Sequence, residues 1–134
     1  MAKIIQLYLL TTVVFFAIDI VWLSVVANRF YQSQIGPMLK SPPNWAVAAG
    51  FYLFYIVGII VFATLPGIEK GMLFEAVWRG ALFGALAYAT YDLTNLATLE
   101  GWPWQVAAVD IGWGAVLTGT VSAASYQIAR WLGL

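Results

Sequence analysis

The sequence contains no cysteine and no histidine among its 134 residues. Without cysteine there can be no disulfide, thiolate metal site or thiol nucleophile. Without histidine the usual general base and the commonest metal ligand are missing, and so are haem ligation and histidine-based diiron centres. No haem, zinc–thiolate or histidine-ligated metal is therefore expected. The identity of any other cofactor stays open, and the available chemistry rests on carboxylates, hydroxyls, amides, Lys and Arg.

Charge is also scarce, because only 9% of the residues are charged while 63% are hydrophobic. A soluble domain carries about 25% charged residues, enough to cover its surface with polar groups. This composition predicts an integral membrane protein whose immediate partners are membrane lipids. The formal net charge is zero, which gives no reason to expect nucleic acid as a partner.

Four apolar segments reach the roughly 20 residues that a helix needs to cross a bilayer. They predict an all-α fold, in which residues 1–134 form a single bundle of four transmembrane helices. Pro66-Gly67 is expected to end the second helix, and Pro103 to begin the fourth. The predicted spans are about residues 4–27, 45–65, 74–99 and 103–132.

The distribution of basic residues predicts the orientation of this bundle. An even number of spans places both termini on one side, and the side richer in Lys and Arg faces the cytoplasm. We therefore expect a multi-pass protein of the bacterial inner membrane with both termini in the cytoplasm. Lys3, Lys70, Arg79 and Arg130 fall on the side of the termini, whereas Arg29 and Lys40 fall on the other side.

All three aspartates lie inside predicted spans, whereas all three glutamates lie in loops or at span ends. Asp19, Asp92 and Asp110 are seven or eight residues from the outer ends of their spans. At 1.5 Å per residue, each lies roughly 10–12 Å below that end. A carboxylate there costs roughly 2.5–3.5 kcal/mol and often marks a site. Three at one depth must share protons or surround a cation, and any bound metal would use these three ligands. Alternatively, each hydrogen-bonds a neighbouring helix and stabilises packing.

The block YATYDLTN, residues 88–95, places further polar groups around Asp92. Tyr88 and Asn95 share the helix face of Asp92, because they lie four residues before it and three after it. Tyr91 and Thr94 add hydroxyl groups on neighbouring faces. Such oxygen-rich side chains suit a hard cation, water or a polar head group.

Two similar hexapeptides, AIDIVW at residues 17–22 and AVDIGW at 108–113, each place a tryptophan three residues after an aspartate. The indole N–H of Trp22 or Trp113 can donate to a carboxylate while its ring forms the wall of a pocket. Alternatively, Trp22 belongs to the aromatic belt at the membrane surface. The two spans run in opposite directions, so independent use of the same short pattern is favoured over duplication.

Two other features concern contacts between segments. Gly80 and Gly84 form a row of small residues that allows close helix contact. We expect a homodimer through this row, the alternative being packing within one chain. In the long first loop, residues 28–45, a helix lying on the membrane surface is the favoured arrangement. Alternatively, Tyr31 and Gln32 fold back over a site.

Four blocks of the sequence resemble a bacterial family of small integral membrane proteins, domain-of-unknown-function family 2177. They are FFAIDIVWLSVVANRFYQSQIG, PPNWAVAAGFYLFYIVGIIVFATLP, GALFGALAYATYDLTNLATLEGWPW and VDIGWGAVLTGTVS. Together they cover nearly the whole chain, and TYDLTNLATLEGW is the most specific. The resemblance implies membership of that family and brings no catalytic residue or cofactor with it.

Three functions are compatible with these observations. The leading hypothesis is an acidic, aromatic-walled site in the outer half of the bilayer that binds or transports a cation, a proton or a cationic solute. Asp92 would be its central residue, with Asp19 and Asp110 as partners. The alternatives are a subunit that binds a lipid, quinone or pigment, and a histidine-free enzyme that acts on a lipid through paired carboxylates.

Overall fold

The computed structural model describes all residues 1–134, and every regular element in it is helical. Four long helical segments pack side by side, which confirms the predicted all-α fold. Two of these segments are each divided into two α-helices by a short π-helical turn. The α-helices are α1 (Ala2–Trp22), α2 (Asn28–Ile35), α3 (Trp45–Ile59), α4 (Leu65–Lys70), α5 (Leu73–Thr98) and α6 (Trp104–Trp131).

Three helical stretches are long and apolar enough to cross a membrane: Ala2–Met38, Trp45–Lys70 and Trp104–Trp131. The remaining segment, α5, has 26 residues and is long enough to do so. It is less apolar, because it carries three charged residues as well as Asn95. That α5 also spans the bilayer therefore stays a prediction.

The first helical segment extends well past its predicted end at residue 27. A π-helical turn, Leu23–Ala27, connects α1 directly to α2, and a 3₁₀ turn follows at Gly36–Met38. The predicted end of the first span at residue 27 therefore falls inside a helical segment that continues to Met38, and the helix favoured within the first loop is joined directly to that span. No proline or glycine occurs between Trp22 and Gly36, so nothing in the backbone interrupts the helix before that point.

The predicted end of the second helix at Pro66-Gly67 is also wrong. Proline lacks the N–H that an α-helix needs, but a π-helical turn at Ile60–Thr64 precedes Pro66 and adjusts the hydrogen-bond register. The helix then continues to Lys70. It ends at Gly71, whose φ of 67° is the left-handed conformation typical of a glycine after a helix C-terminus.

Small residues bring α5 and α6 into close contact along their length. A Cβ atom at Gly84 would collide with the backbone carbonyl of Gly114, and one at Gly80 would collide with the side chain of Ser122. The glycine row of α5 is thus covered by α6 of the same chain. This geometry supports packing of Gly80 and Gly84 within one chain rather than between two chains, and oligomerisation stays a prediction.

The half of the bundle near the chain termini has a closed apolar core. Hydroxyl groups add hydrogen bonds between helices in this half, where Ser125 on α6 bonds Thr11 and Thr64, both at 2.9 Å. All three of these hydroxyl residues are fully buried. The core cluster includes the fully buried apolar side chains of Leu7, Phe15, Ile56, Ile59, Leu117 and Val121.

Replacing Ser125 by alanine should lower the free energy of unfolding by about 1–2 kcal/mol, because two buried hydrogen bonds between helices are lost. Titration with SDS in mixed micelles measures this change. Ser24→Ala is the matched control, because Ser24 is exposed and bonds only carbonyls of its own helix. Equal stability of the two variants would contradict this role of Ser125.

Candidate functional site

The other half of the bundle contains a cavity of about 1000 Å³. Its walls come from α1, α2, α3, α5 and α6, with Trp102 added from the connection between α5 and α6. Of its 22 lining residues, 15 are hydrophobic. The cavity is thus mainly apolar, with a small number of polar groups, as is usual for sites that bind small molecules.

All three aspartates line this one cavity. Asp92 is 1% exposed and Asp19 is 4% exposed, while Asp110 is half-buried. No Lys or Arg lines the cavity. Both ion pairs in the protein involve Glu75, at the opposite end of α5. The cavity therefore holds three carboxyl groups and no basic group to balance them.

The carboxyl group of Asp92 is unusual because neither of its oxygen atoms has a hydrogen-bond partner. The indole N–H of Trp102 faces it, but the geometry of a hydrogen bond is not reached and that N–H is also unpaired. A buried carboxyl without a partner is energetically costly. Asp92 therefore presents a carboxyl group to the cavity, and no group of the protein forms a hydrogen bond with it.

The tryptophans of the two similar hexapeptides meet across α1 and α6. The rings of Trp22 and Trp113 stack at 4.2 Å between centroids, with 7° between their planes. Both line the cavity, and the indole of Trp113 and the hydroxyl of Tyr52 face Asp19. The repeated pattern therefore builds one shared wall, in which the aspartate of one hexapeptide lies beside the tryptophan of the other.

The helix α2 folds over the cavity rather than lying away from it. The hydroxyl of Tyr31 donates a hydrogen bond to the carboxyl of Asp110, and Gln32 also lines the cavity. The surface arrangement favoured for residues 28–45 is therefore wrong for this part of the segment. Since α2 continues α1 without a break, it is directed across the end of the bundle, where α6 begins.

Replacing Tyr31 by phenylalanine should release α2 from α6. The lost hydrogen bond to a carboxyl group corresponds to about 1.4 kcal/mol, so amide hydrogen exchange within Asn28–Ile35 should accelerate about tenfold. Mass spectrometry of the protein in nanodiscs measures this exchange. Tyr8→Phe is the control, because it removes a tyrosine hydrogen bond to Leu53 away from the cavity. Unchanged exchange in Asn28–Ile35 would show that the bond does not hold α2.

The structure brings seven of the nine predicted site residues together, and it leaves out Thr94 and Asn95. Thr94 is exposed, and Asn95 is half-buried but does not line the cavity. Both follow Asp92, which is the last residue of α5 that contributes to the wall. The seven residues that line the cavity are Asp19, Trp22, Tyr88, Tyr91, Asp92, Asp110 and Trp113.

Sequence reasoning missed the contribution of α3. Phe51, Tyr52 and Tyr55 line the cavity, and the hydroxyl of Tyr55 is hydrogen-bonded to Thr118 of α6 at 2.8 Å. The signal was the aromatic run FYLFY in a segment otherwise rich in Val, Ile and Ala. Trp102, in the connection between α5 and α6, was also not predicted as a site residue, and it is buried and forms part of the wall.

The carboxyl groups do not form a metal site. No group of three or more acidic side chains is close enough to hold a metal ion. Asp19, Asp92 and Asp110 thus line one cavity without forming such a group. Ca²⁺ would need six to eight oxygen ligands in a compact arrangement. The cavity instead offers space for a larger ligand.

The fold and this cavity define a small helical membrane protein with an acidic, aromatic-walled pocket at one end of its bundle. The chain belongs to the family described as "Predicted membrane protein (DUF2177)", whose model matches residues 4–127. This confirms the resemblance carried by the TYDLTNLATLEGW block. Neither a curated protein nor a solved structure matches the chain.

Proposed function

We propose that the cavity binds an organic cation. The observation that carries this proposal is Asp92, a carboxyl group 1% exposed with two unpartnered oxygen atoms, lining a cavity of about 1000 Å³. Asp19 and Asp110 line the same space, and no Lys or Arg does.

The charge of the cavity favours a cationic ligand. Carboxylates that share a water-poor space repel one another, and an enclosed positive charge relieves that repulsion. Protons bound to the carboxyl groups have the same effect. Cation and protons therefore compete for the aspartates, so that cation binding releases protons and its affinity rises with pH.

The walls favour an organic cation over a metal ion. The stacked indoles of Trp22 and Trp113, with Tyr88 and Trp102, present aromatic surface to the cavity. An aromatic ring that faces a desolvated cation contributes about 0.5–2 kcal/mol. The hydrophobic residues of the wall suit alkyl or aryl substituents on the cationic nitrogen.

We infer that α1, α3, α5 and α6 all cross the bacterial inner membrane, with both termini in the cytoplasm. The excess of Lys and Arg at the end of the bundle that contains the termini supports this orientation. The cavity then opens toward the outer surface, and the three aspartates lie within the outer half of the bilayer. The apolar core around Leu7, Ile56 and Leu117 closes the inner half. Binding is therefore the activity that this conformation supports, and transport requires a second conformation that opens the core.

Isothermal titration calorimetry of the protein in nanodiscs, with tetraethylammonium as the probe, tests this proposal. We expect saturable binding with proton release. Repeating the titration in buffers of different ionisation enthalpy measures the number of protons released. The triple variant Asp19→Asn/Asp92→Asn/Asp110→Asn should not bind the probe. Glu100→Gln is the matched control, because Glu100 is an exposed acid in the connection between α5 and α6.

Absence of saturable binding by the wild-type protein, or equal binding by the triple variant, would contradict the proposal.

Flux of the probe into proteoliposomes then tests transport. Flux with the wild-type protein but not with the triple variant would extend binding to transport.

A second candidate is binding of a neutral lipophilic molecule, such as a lipid, quinone or pigment. The 15 hydrophobic residues among the 22 that line the cavity support it. Mass spectrometry of the purified protein would detect such a ligand. Retention of the same ligand by the triple aspartate variant would favour this candidate over an organic cation.

A further inference from the structure

A second depression lies on the outside of the bundle, directly behind the stacked tryptophans. It has a volume of about 380 Å³, and all seven residues that line it are hydrophobic. Five are aliphatic residues between Ala17 and Val26, and the other two are Trp22 and Trp113. We name it the apolar groove. It runs along the first helical segment for about 13 Å, at 1.5 Å per residue.

The apolar groove and the acidic cavity share a wall. Trp22 and Trp113 are the two residues that line both spaces. Their stacked rings therefore separate a space that contains three carboxyl groups from a surface that contains only hydrocarbon and indole. An apolar surface that faces lipid is usual in a membrane protein. It is unusual for such a surface to be separated from an acidic cavity by only one pair of side chains.

The structure around the pair allows this wall to open. Both tryptophans are half-buried, and the indole N–H of Trp113 faces Asp19 without reaching hydrogen-bond geometry. The π-helical turn Leu23–Ala27 begins immediately after Trp22, and such turns occur often at functional sites. Displacement of the Trp22 side chain is the movement that would join the groove to the cavity, because Trp22 lines both spaces.

We propose that the ligand is a cationic amphiphile, an ammonium group that carries a hydrocarbon chain. This proposal rests on the proposed function and specifies the class of its ligand. The ammonium group lies in the cavity near Asp92, and the chain passes between Trp22 and Trp113 into the apolar groove. The ligand enters sideways from the lipid, so its chain stays in an apolar environment throughout.

The groove and the cavity complement each other in this arrangement. The cavity contains the carboxyl groups that a cation needs, and the groove offers an extended apolar surface for a chain. A short cation such as tetraethylammonium occupies the cavity alone. A long-chain ammonium ion contacts both spaces. The position of its chain beside residues 17–26 therefore depends on Asp92, whereas the chains of bilayer lipids reach these residues independently of Asp92.

Photolabelling tests this inference. The probe is an alkyltrimethylammonium ion with a diazirine at the far end of its chain, added to the protein in phosphatidylcholine nanodiscs. After irradiation, mass spectrometry of peptides locates the label. We expect label on residues 17–26 and on Trp113, and we expect Asp92→Asn or excess tetraethylammonium to lower it at least about tenfold. Label on Val13 and Val116, which are exposed apolar residues outside the groove, should stay unchanged.

Three results would overturn the inference. Label on residues 17–26 no stronger than on Val13 and Val116 would show that the chain does not use the groove. Label there that persists in Asp92→Asn and under excess tetraethylammonium would show that the groove binds chains independently of the cavity. If tetraethylammonium still binds in either case, the proposed function stands and only this inference fails. If tetraethylammonium does not bind the wild-type protein at all, both fail.

Discussion

Replacing Asp92 by asparagine should weaken tetraethylammonium binding at least about tenfold, because the cation loses a buried carboxylate partner. The same variant should be as stable as the wild-type protein or more stable. In the wild-type protein, both carboxyl oxygens of Asp92 are buried without a hydrogen-bond partner. Asparagine keeps the shape of the side chain and removes its charge, and the substitution breaks no hydrogen bond within the protein. Loss of binding together with a gain in stability is characteristic of a residue kept for a ligand.

Two measurements on the same preparation separate these effects. Calorimetric titration gives the affinity, and unfolding in SDS gives the free energy of unfolding. Glu100→Gln, an acid in the exposed connection between α5 and α6, should change neither quantity. If Asp92→Asn lowered the free energy of unfolding and left the affinity unchanged, Asp92 would be a structural residue and the proposed function would be wrong.

Replacing Gly84 by leucine should lower the free energy of unfolding by about 3 kcal/mol or more, or prevent folding. Overpacking a core costs about 1–3 kcal/mol where side chains can adjust. At Gly84 the neighbour is the backbone carbonyl of Gly114, which cannot move without displacing α6. Gly50→Leu is the matched control, since no atom lies within 4 Å of a Cβ built at Gly50.

Unfolding in SDS and size-exclusion chromatography measure the two variants. Packing of Gly84 within the chain predicts that Gly84→Leu changes the stability of the monomer itself. If Gly84→Leu stayed as stable as Gly50→Leu and lost only an oligomeric state, Gly84 would lie at an interface between chains. The contact between α5 and α6 described here would then be incorrect.

The sequence predicted that the three aspartates lie at one level, because the depth of a residue in a membrane helix follows from the number of residues between it and the end of the helix. Asp19, Asp92 and Asp110 lie at similar distances from the ends of three apolar segments, and all three line one cavity. Asp–x–x–Trp spacing likewise predicted that Trp22 and Trp113 line the same site as the carboxyl groups, since residues three apart share a helix face. The spacing did not predict that the indole facing Asp19 is Trp113 of the other hexapeptide, because that contact depends on how α1 and α6 pack.

Features that depend on packing were predicted less well. The row of Gly80 and Gly84 indicated close helix contact, but a row of small residues does not say which helix covers it. The three aspartates share a depth, yet depth does not fix the distance between side chains on different helices, and in the structure the three do not form a group that could hold a metal ion. Tyr52 and Tyr55 were overlooked because an aromatic residue in an apolar span carries little information until its neighbours are known.

Errors in the helix ends have a different origin. The rule that proline ends a helix failed at Pro66, because the π-helical turn Ile60–Thr64 accommodates the missing N–H. In the first loop, Pro37 and Pro42 act only on the backbone near them. The helix α2 precedes both, and its contact through Tyr31 with Asp110 depends on the position of α6.

The most direct test of the central claim is to locate a bound cation in crystals of the protein. Tetraethylarsonium, the arsenic analogue of tetraethylammonium, gives an anomalous signal from its central atom. We expect one arsenic peak inside the cavity, surrounded by the carboxyl groups of Asp19, Asp92 and Asp110, and no such peak in crystals of Asp92→Asn. Arsenic peaks confined to the protein surface, or an equal peak in Asp92→Asn, would contradict the account.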